Sequence, residues 1–575
     1  MLPLHDAWVR SGDGAGSDAH IPLAQASLRA VLLRRGVVDA ESYRRFVSPT
    51  LDDLHDPVTI HGIEPACDRI ERAIRDREPI LIYGDYDVDG VTSIVLLRTV
   101  IRALGGNVDH VVPHRLIDGY GLKTEVIDRV LAERNVRLVV TVDCGISSVE
   151  PVEHAIERGI DVIITDHHLP PGTLPDAAAV LNPKQDGCTY PFKDLAGVGV
   201  AFKLCCRLLT RAGHRMSVGS LLKIAAIGTI ADVAPLIGEN RTIAQLGLAG
   251  LADPRNPGLR ALFRSLKLYG RPLSSFDIGF RIGPRINAAG RLASADTAIR
   301  LFSVRSEEEA RPLIAELEHL NGERRRLERA LLEEAEEQIA EQADSRVIVV
   351  ASPNWHRGVV GLCAGRIAQT HHRPALVLSI DGDLAVGSGR SVPAVNLHSQ
   401  LEKMRDLFDH FGGHDFACGF SLPSARVPEL RRRAGEIFGA LPDDCFVRSI
   451  EVDATLPLEE IDREWLDAHA LLEPFGQSNR QPVFHAAGVG ISALREFAPE
   501  CHALSVKQDG ATRSGVLWPA RRELLDACRG NGVYDVLFHI EGDRWSADGL
   551  RLELLDAAPS GTVPVRNEKP IPAVE

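Results

Sequence analysis

Three short apolar runs in the first third of this chain each stop at an acidic residue, and this pattern restricts the fold more than any other feature. Pro79 to Gly84 runs into Asp85-Tyr86-Asp87-Val88-Asp89-Gly90, Leu138 to Val142 into Asp143, and Val162 to Thr165 into Asp166-His167-His168. Each run is continuous and rich in Val and Ile, the signature of a strand buried on both faces. A helical pattern follows each, so the runs belong to βαβ units of one parallel sheet. Ligands of such sheets bind outside the carboxyl ends of the strands. Chain direction therefore gathers these carboxylates and imidazoles at one edge. So many negative charges can share a site only with cations to neutralise them. The expectation is a site for hard divalent metals, built for phosphate chemistry.

The 575 residues suggest roughly three or four domains. A chain 45% hydrophobic and 25% charged has a globular composition. No apolar stretch reaches the ~18 residues of a membrane helix, and the Met-Leu-Pro-Leu-His-Asp start is not that of a secretory signal. Ten cysteines without a Cys-x-x-Cys imply buried thiols in a reducing cytoplasm, not disulfides or structural zinc. A net charge of −14 argues against wrapping nucleic acid over the whole surface but permits a local basic groove. At 5% aromatics, base stacking cannot be extensive.

Along the chain, residues 1–55 read as a polar, mobile start (Ser11 to Ser17) and a small helical cap (Leu23 to Phe46). Residues 56–303 form an α/β domain, a doubly wound sheet followed by helices, one of which leads into Ala231-Asp232. Residues 304–343 are a connecting helix that opens on a Ser306-x-x-Glu309 capping box, with Pro312 and Gly322 as possible kinks. It is either a spacer or one more core helix. A smaller α/β domain spans 344–442, with strands at Arg346 to Ala351, Ala375 to Ile380 and Leu384 to Ser388. Residues 447–557 hold short strand-like runs at Ile450 to Leu456, Val483 to Ile491, Cys501 to Lys507, Thr512 to Trp518, Val536 to Glu541 and Leu550 to Leu555, a pattern for a small β-barrel. Residues 558–575 read as a disordered tail.

Asp85 to Gly90 matches the opening of a calcium-binding EF-hand loop, but Leu96 stands where that loop needs Glu, and a strand precedes it. Asp and His offer oxygen and nitrogen ligands suited to Mn²⁺ or Mg²⁺. Cys144 would point to the opposite face. Taken together and in order, Gly-Asp-Tyr-Asp-Val-Asp-Gly, Val-Asp143-Cys-Gly, Thr-Asp166-His167-His168 and Ala231-Asp232 resemble the four motifs of the DHH phosphoesterase family. Further segments resemble those of one member, an exonuclease specific for single-stranded DNA. They are Pro113-His-Arg115 with Gly119-Tyr120-Gly121, Gly283-Pro-Arg285-Ile-Asn287-Ala-Ala-Gly-Arg291, Trp355-His356-x-Gly358, Ser388-Gly-Arg390-Ser391, Gly412-Gly-His414 and Glu473-Pro-Phe-Gly476.

The resemblance covers about residues 20–555 and implies a fold, a reaction and partners. The fold is a two-lobed DHH core, a doubly wound parallel sheet plus a smaller α/β DHHA1 domain, with a C-terminal OB-like β-barrel. The reaction is removal of nucleotides from the 5′ end of single-stranded DNA with two Mn²⁺ or Mg²⁺ ions, in DNA repair and recombination. The partners are single-stranded DNA, a single-strand-binding protein and a helicase. By motif position, Asp85, Asp87, Asp89, Asp143, His167 and Asp232 become metal ligands or their direct supporters, and His168 orients or binds the scissile phosphate. Catalysis falls to Asp87, Asp89, Asp143, His167 and His168. Ser478 departs from the pattern, which has Gly there, and puts only the local turn in question.

Substrate contacts are expected at Arg115 for the 5′-terminal phosphate, and at Arg285, Asn287 and Arg291 in the first lobe. In the second, Ser388, Arg390, Gly412, Gly413 and His414 would face them across a cleft. Arg324-Arg325-Arg326, followed by many Glu residues, reads as a solvated helix face. Two competing functions stay open. One is a DHH enzyme acting on short oligonucleotides, cyclic dinucleotides or pyrophosphate. The other is a non-catalytic scaffold on the same fold, which the intact Asp and His set disfavours.

Overall fold

The three apolar runs form parallel strands whose ends stand level. The computed structural model describes residues 5–10, 21–119, 121–519, 524–525, 532–543, 546, 549–562 and 566–567. The chain divides into two units: Ser48–Arg326 with Glu473–Arg480, and Met1–Val47 with Leu327–Leu472 and Gln481–Glu575.

In the first unit, strands β1 (Ile80–Gly84), β2 (Val108–Val111), β3 (Leu138–Val142), β4 (Asp161–Thr165) and β5 (Ala179–Leu181) make one sheet of order β2-β1-β3-β4-β5, parallel throughout. Alternate residues feed separate cores. Ile82, Val140, Val142 and Ile163 pack on one face, and Leu81, Tyr83, Val139, Val162 and Ile164 on the other. That is why these runs read as continuous rather than alternating. The first core is closed by helices α1 (Val88–Ala103), α2 (Gly197–Arg211) and α3 (Val218–Ala231). The second is closed by Val126, Ile127 and Val130 of helix Thr124–Glu133 and by Val152 and Ala155 of Val149–Glu157. Strand order reverses between β1 and β3, which is where a doubly wound sheet opens its ligand crevice. In register, Gly84 pairs with Val142 and Val142 with Thr165, so Asp85, Asp143 and Asp166 leave the sheet at one level.

A π-helical turn, Asp277–Ile282, leads into α4 (Gly283–Leu292). Helix α5 (Glu307–Ala340) is a single 34-residue helix that carries Pro312 inside it. Pro312 lies so near the helix start that it removes one backbone hydrogen bond without ending the helix. Leu313, Ile314 and Leu317 bury against the first unit's core, whereas Leu331, Ala335 and Ile339 join a core in the second. Each half of α5 is therefore a core helix.

The second unit contains a smaller sheet of order β9-β10-β8-β7-β6, from β6 (Ile348–Ser352), β7 (Ala375–Asp381), β8 (Leu384–Arg390), β9 (His410–His414) and β10 (Ala417–Pro423). Only β6 and β7 pair in parallel. It also contains a barrel of β11 (Phe484–Ala498), β12 (Cys501–Gln508), β13 (Ala511–Leu517), β14 (Val533–Gly542) and β15 (Leu550–Pro559). Its strands pair in the order β11-β12-β13-β15-β14, and β14 closes back onto β11. A five-stranded closed barrel of this order is an OB-fold.

Both ends of the chain depart from expectation. Ala7–Arg10 is a strand, paired in parallel with Ser449–Val452 on one side and with Arg566–Asn567 on the other. Buried Asp556 accepts hydrogen bonds from the Trp8 indole at 2.8 Å and the His5 amide at 3.1 Å, tying that strand to the barrel. Four residues are too few for a periodic signal, which hides the strand in the sequence. The expected mobile segment Ser11 to Ser17, Tyr120 and most of the expected disordered tail lie outside the described residues.

Candidate metal centre

The residues after β1 fold back at once into α1. Asp87 caps that helix, accepting from the Gly90 amide at 3.0 Å. The Val88 amide donates to Asn287 Oδ1 at 3.2 Å, so α4 braces the turn. Asp89 is fully buried, and its two oxygens accept from the Gly197 and Val198 amides at 2.7 and 2.6 Å. These are the first orphan donors of α2, where the helix dipole also favours an anion. Gly197 permits this approach, since a Cβ there would lie 2.9 Å from Asp143 Oδ1 and 3.0 Å from Asp89 Oδ2. Gly228 acts likewise in α3. A Cβ there would strike Thr92 of α1 at 2.3 Å, and the close contact of the two helices brings Asp232, the C-cap of α3, to the same place.

Asp143 leaves β3 in a left-handed conformation, φ 58°, which an aspartate tolerates better than most residues. Cys144 after it is buried in the opposite core, as expected. His167 Nε2 lies 3.1 Å from Asp143 Oδ1 and 3.9 Å from both Asp89 Oδ2 and Asp232 Oδ2. Ligand atoms within 4.8 Å of one another form three overlapping groups: Asp89, His167 and Asp232; Asp85, Asp87 and Asp143; and Asp143, His167 and His168. The six expected ligands thus converge in space.

These residues suit a hard divalent cation. The donor set is oxygen and imidazole nitrogen without thiolate. Asp85 Oδ1 and His167 Nε2 are buried without a hydrogen-bond partner, although buried polar atoms are nearly always satisfied. Burial, then the charges of Asp89, Asp87 and Asp232, holds the Asp143 carboxyl well above its usual range. Burial followed by Asp87 does the same to Asp85 and pushes Asp89 up to about 7. Burial and the adjacent His168 push His167 down to about 3, leaving a neutral imidazole. For the three carboxyls burial and like-charge repulsion act in the same direction, whereas His167 is lowered by burial and a neighbouring imidazole.

The sequence reasoning missed the part played by Asp166. It accepts from the Ile146 amide at 2.9 Å, from the His167 amide at 2.7 Å, and lies 2.7 Å from His168 Nδ1. Burial opposes protonation of His168, but the Asp166 hydrogen bond and the charges of Asp89 and Asp85 overcome it and raise the pKa. The signal was present, because Asp166 ends β4 as Asp143 ends β3.

Other expected site residues divide. Arg115 lies over the Tyr86 ring, its guanidinium carbon 4.7 Å from the centroid. Arg291 is near enough to Arg115 that burial and that guanidinium together lower its pKa to about 10. Arg324 adds to the same effect. It is half-buried, with a bond to Asn321 Oδ1 at 3.2 Å, so it does not belong to the solvated face that Arg325 and Arg326 form. Arg285 Nε donates to Glu318 at 2.7 Å and its Nη1 to the Arg281 carbonyl at 2.5 Å, while Asn287 Oδ1 accepts from the Val88 amide.

In the second unit, Arg390 donates to Ser388 Oγ at 3.0 Å on β8. Gly412, Gly413 and His414 lie exposed on β9, an edge strand where a loop was expected. Its two glycines carry no side chain to signal a strand. Ser478, the departure noted above, has φ 59°, a conformation that favours glycine.

The comparisons with known proteins agree with this geometry. Residues 79–229 match the N-terminal domain of the DHH family, 344–440 the DHHA1 domain, and 452–554 the RecJ OB domain. The fold and site therefore define a DHH phosphoesterase. The single-stranded-DNA-specific exonuclease RecJ of Bacillus subtilis is 43% identical over 80% of this chain, which spans 58% of that protein. The RecJ of Salmonella typhimurium is 37% identical over 80% of this chain and 82% of its own length. The crystal structure of Thermus thermophilus RecJ with Mn²⁺ superposes with a TM-score of 0.83 at 28% identity, over 97% of this chain and 80% of that one. The chain belongs to the RecJ family of single-stranded-DNA-specific exonucleases.

Proposed function

We propose that this protein hydrolyses single-stranded DNA from its 5′ end, with two divalent cations, Mn²⁺ or Mg²⁺, held by the strand-end cluster. The observation that carries the reading is the convergence of Asp85, Asp87, Asp89, Asp143, His167 and Asp232 on the β1–β3 crevice, with buried ligand atoms left unsatisfied. Asp89, His167 and Asp232 would hold one cation and Asp85 and Asp87 the other, with Asp143 shared. When bound, the cations would offset charge on the scissile phosphate and lower the pKa of an attacking water. Asp89 acts from a fixed position set by the two α2 amides. His168, oriented by Asp166 and favoured in its protonated form, donates to a phosphate oxygen. Arg115 and Arg291 receive the 5′-terminal phosphate, and Arg115 is restrained for that by its stack on Tyr86. Ser388, Arg390, Gly412, Gly413 and His414 supply phosphate contacts in the second unit, and the OB barrel binds the single strand.

A helicase and a single-strand-binding protein fit this reading as partners, since one produces and the other coats the substrate. Among the described residues no helix is long and apolar enough to cross a membrane, and all nine cysteines stand as thiols. Both accord with work in the bacterial cytoplasm. The test is digestion of 5′- and 3′-labelled single- and double-stranded DNA, with Mn²⁺ or with EDTA. The reading expects early release of the 5′ label, from single strands only and only with the metal. Early release of the 3′ label, or equal digestion of duplex, would overturn it.

A further inference from the structure

Helix α3 ends in a turn whose residue type is the wrong one for stability. The Ala234 amide bonds to the Thr229 carbonyl at 3.3 Å and the Val233 amide to the Ile230 carbonyl at 3.2 Å. This pair of bonds is a Schellman motif, and the residue after the C-cap Asp232 takes the left-handed conformation for which glycine is the default. Val233 occupies that position at φ 60°. A β-branched residue there is a genuine outlier. Among the described residues eight non-glycine residues have positive φ, and the other seven are polar or charged. Packing does not account for the choice, because Val233 is 64% exposed while its neighbours Ile230, Ala234 and Leu236 are buried. Aiming Asp232 does not account for it either, because glycine or asparagine would make the same turn with less strain. The isopropyl group therefore serves something outside the fold, one residue from a carboxylate of the metal cluster. Strain retained at such a place points to function.

We propose that Val233 is a substrate-contact residue, its isopropyl group packing on the apolar face of the nucleoside whose phosphate the acidic cluster holds. This rests on the phosphodiester-cleaving reading above. The experiment compares the parent full-length chain with Val233→Gly and Val233→Ile. It measures the metal-free melting temperature, Mn²⁺ affinity by calorimetry, and kcat and KM on a single-stranded oligonucleotide. Val233→Gly should melt higher, by roughly 2 °C, and bind Mn²⁺ as the parent does. Its kcat/KM should fall roughly tenfold, through a raised KM. Val233→Ile, which keeps the contact, should match the parent. Unchanged kcat/KM in Val233→Gly, a loss confined to kcat, a lower melting temperature, or Mn²⁺ binding weakened in step with the rate would each overturn the assignment. A parent protein that leaves single-stranded DNA intact would instead sink the functional reading, and this inference with it.

Discussion

Replacing Asp89 by asparagine in the metal-free protein sets two forces against each other. Asp89 is fully buried, and burial, then Asp87, pushes its pKa from 3.8 to about 7. A carboxyl whose folded pKa lies above its unfolded one adds stability that is complete below the unfolded value and is lost as pH rises through the folded value. A rise of roughly three pH units, at about 1.4 kcal/mol each, makes that loss about 4 kcal/mol by pH 8. Asparagine has no proton to lose and escapes it. Its cost lies in the α2 amides. Asp89 accepts from both Gly197 and Val198, whereas an asparagine oxygen serves one and turns its NH₂ toward the other. A buried donor left unsatisfied costs about 1–3 kcal/mol at every pH. Because pH 5 already lies above the unfolded value, roughly 1.5 kcal/mol of the loss has occurred there, so Asp89→Asn should lie within about 1.5 kcal/mol of the parent at pH 5 and be more stable by about 1–3 kcal/mol at pH 8. Urea unfolding in EDTA, followed by circular dichroism at the two pH values, measures this. Saturating Mn²⁺ at pH 8 should reverse the order, since a cation held by the native cluster stabilises the parent more. A difference in stability that is the same at pH 5 and pH 8 would refute the reasoning.

Asp143→Ala, which removes the carboxylate shared by two of the ligand groups, should lower kcat at saturating Mn²⁺ by roughly 10³-fold or more while the metal-free fold, relieved of one like charge, stays intact by circular dichroism. Arg115→Ala should lose about tenfold more kcat/KM on 5′-phosphorylated than on 5′-hydroxyl strands, the scale of one charge-assisted hydrogen bond; equal losses would remove Arg115 from the terminal phosphate. Far from the centre, Lys203 bonds to the buried Glu239 and to the His55 carbonyl at 2.7 Å. Lys203→Met should cost about 3–5 kcal/mol in urea unfolding by leaving Glu239 without its cation, and a loss under 1 kcal/mol would mean that the Tyr190 hydroxyl and His55 amide suffice for that carboxylate.

What could be read from the sequence, and what could not, follows from the range of the interactions involved. The parallel strands were legible because both faces of the sheet are buried, so their apolar runs owe nothing to partners elsewhere. The strand-end acids were legible because chain direction alone delivers them to one edge. The barrel strands could be counted because turns such as Asp509-Gly510 separate them, though their closure of β14 onto β11 could not. Ambiguity begins where a side chain must choose among distant partners. Arg115 and Arg285 are the same residue type in similar glycine-bearing motifs. One lies over Tyr86 beside the acids, and the other is taken by Glu318 on α5, 33 residues further along the chain. Asp89 and Asp87 stand two residues apart. One caps its own helix, and the other is claimed by amides 108 and 109 residues away. Local pattern thus specifies which residues reach the crevice. Which of them remain available to a cation or a phosphate is decided by contacts across the fold, and there the backbone amides of α2 have no signature of their own in the sequence.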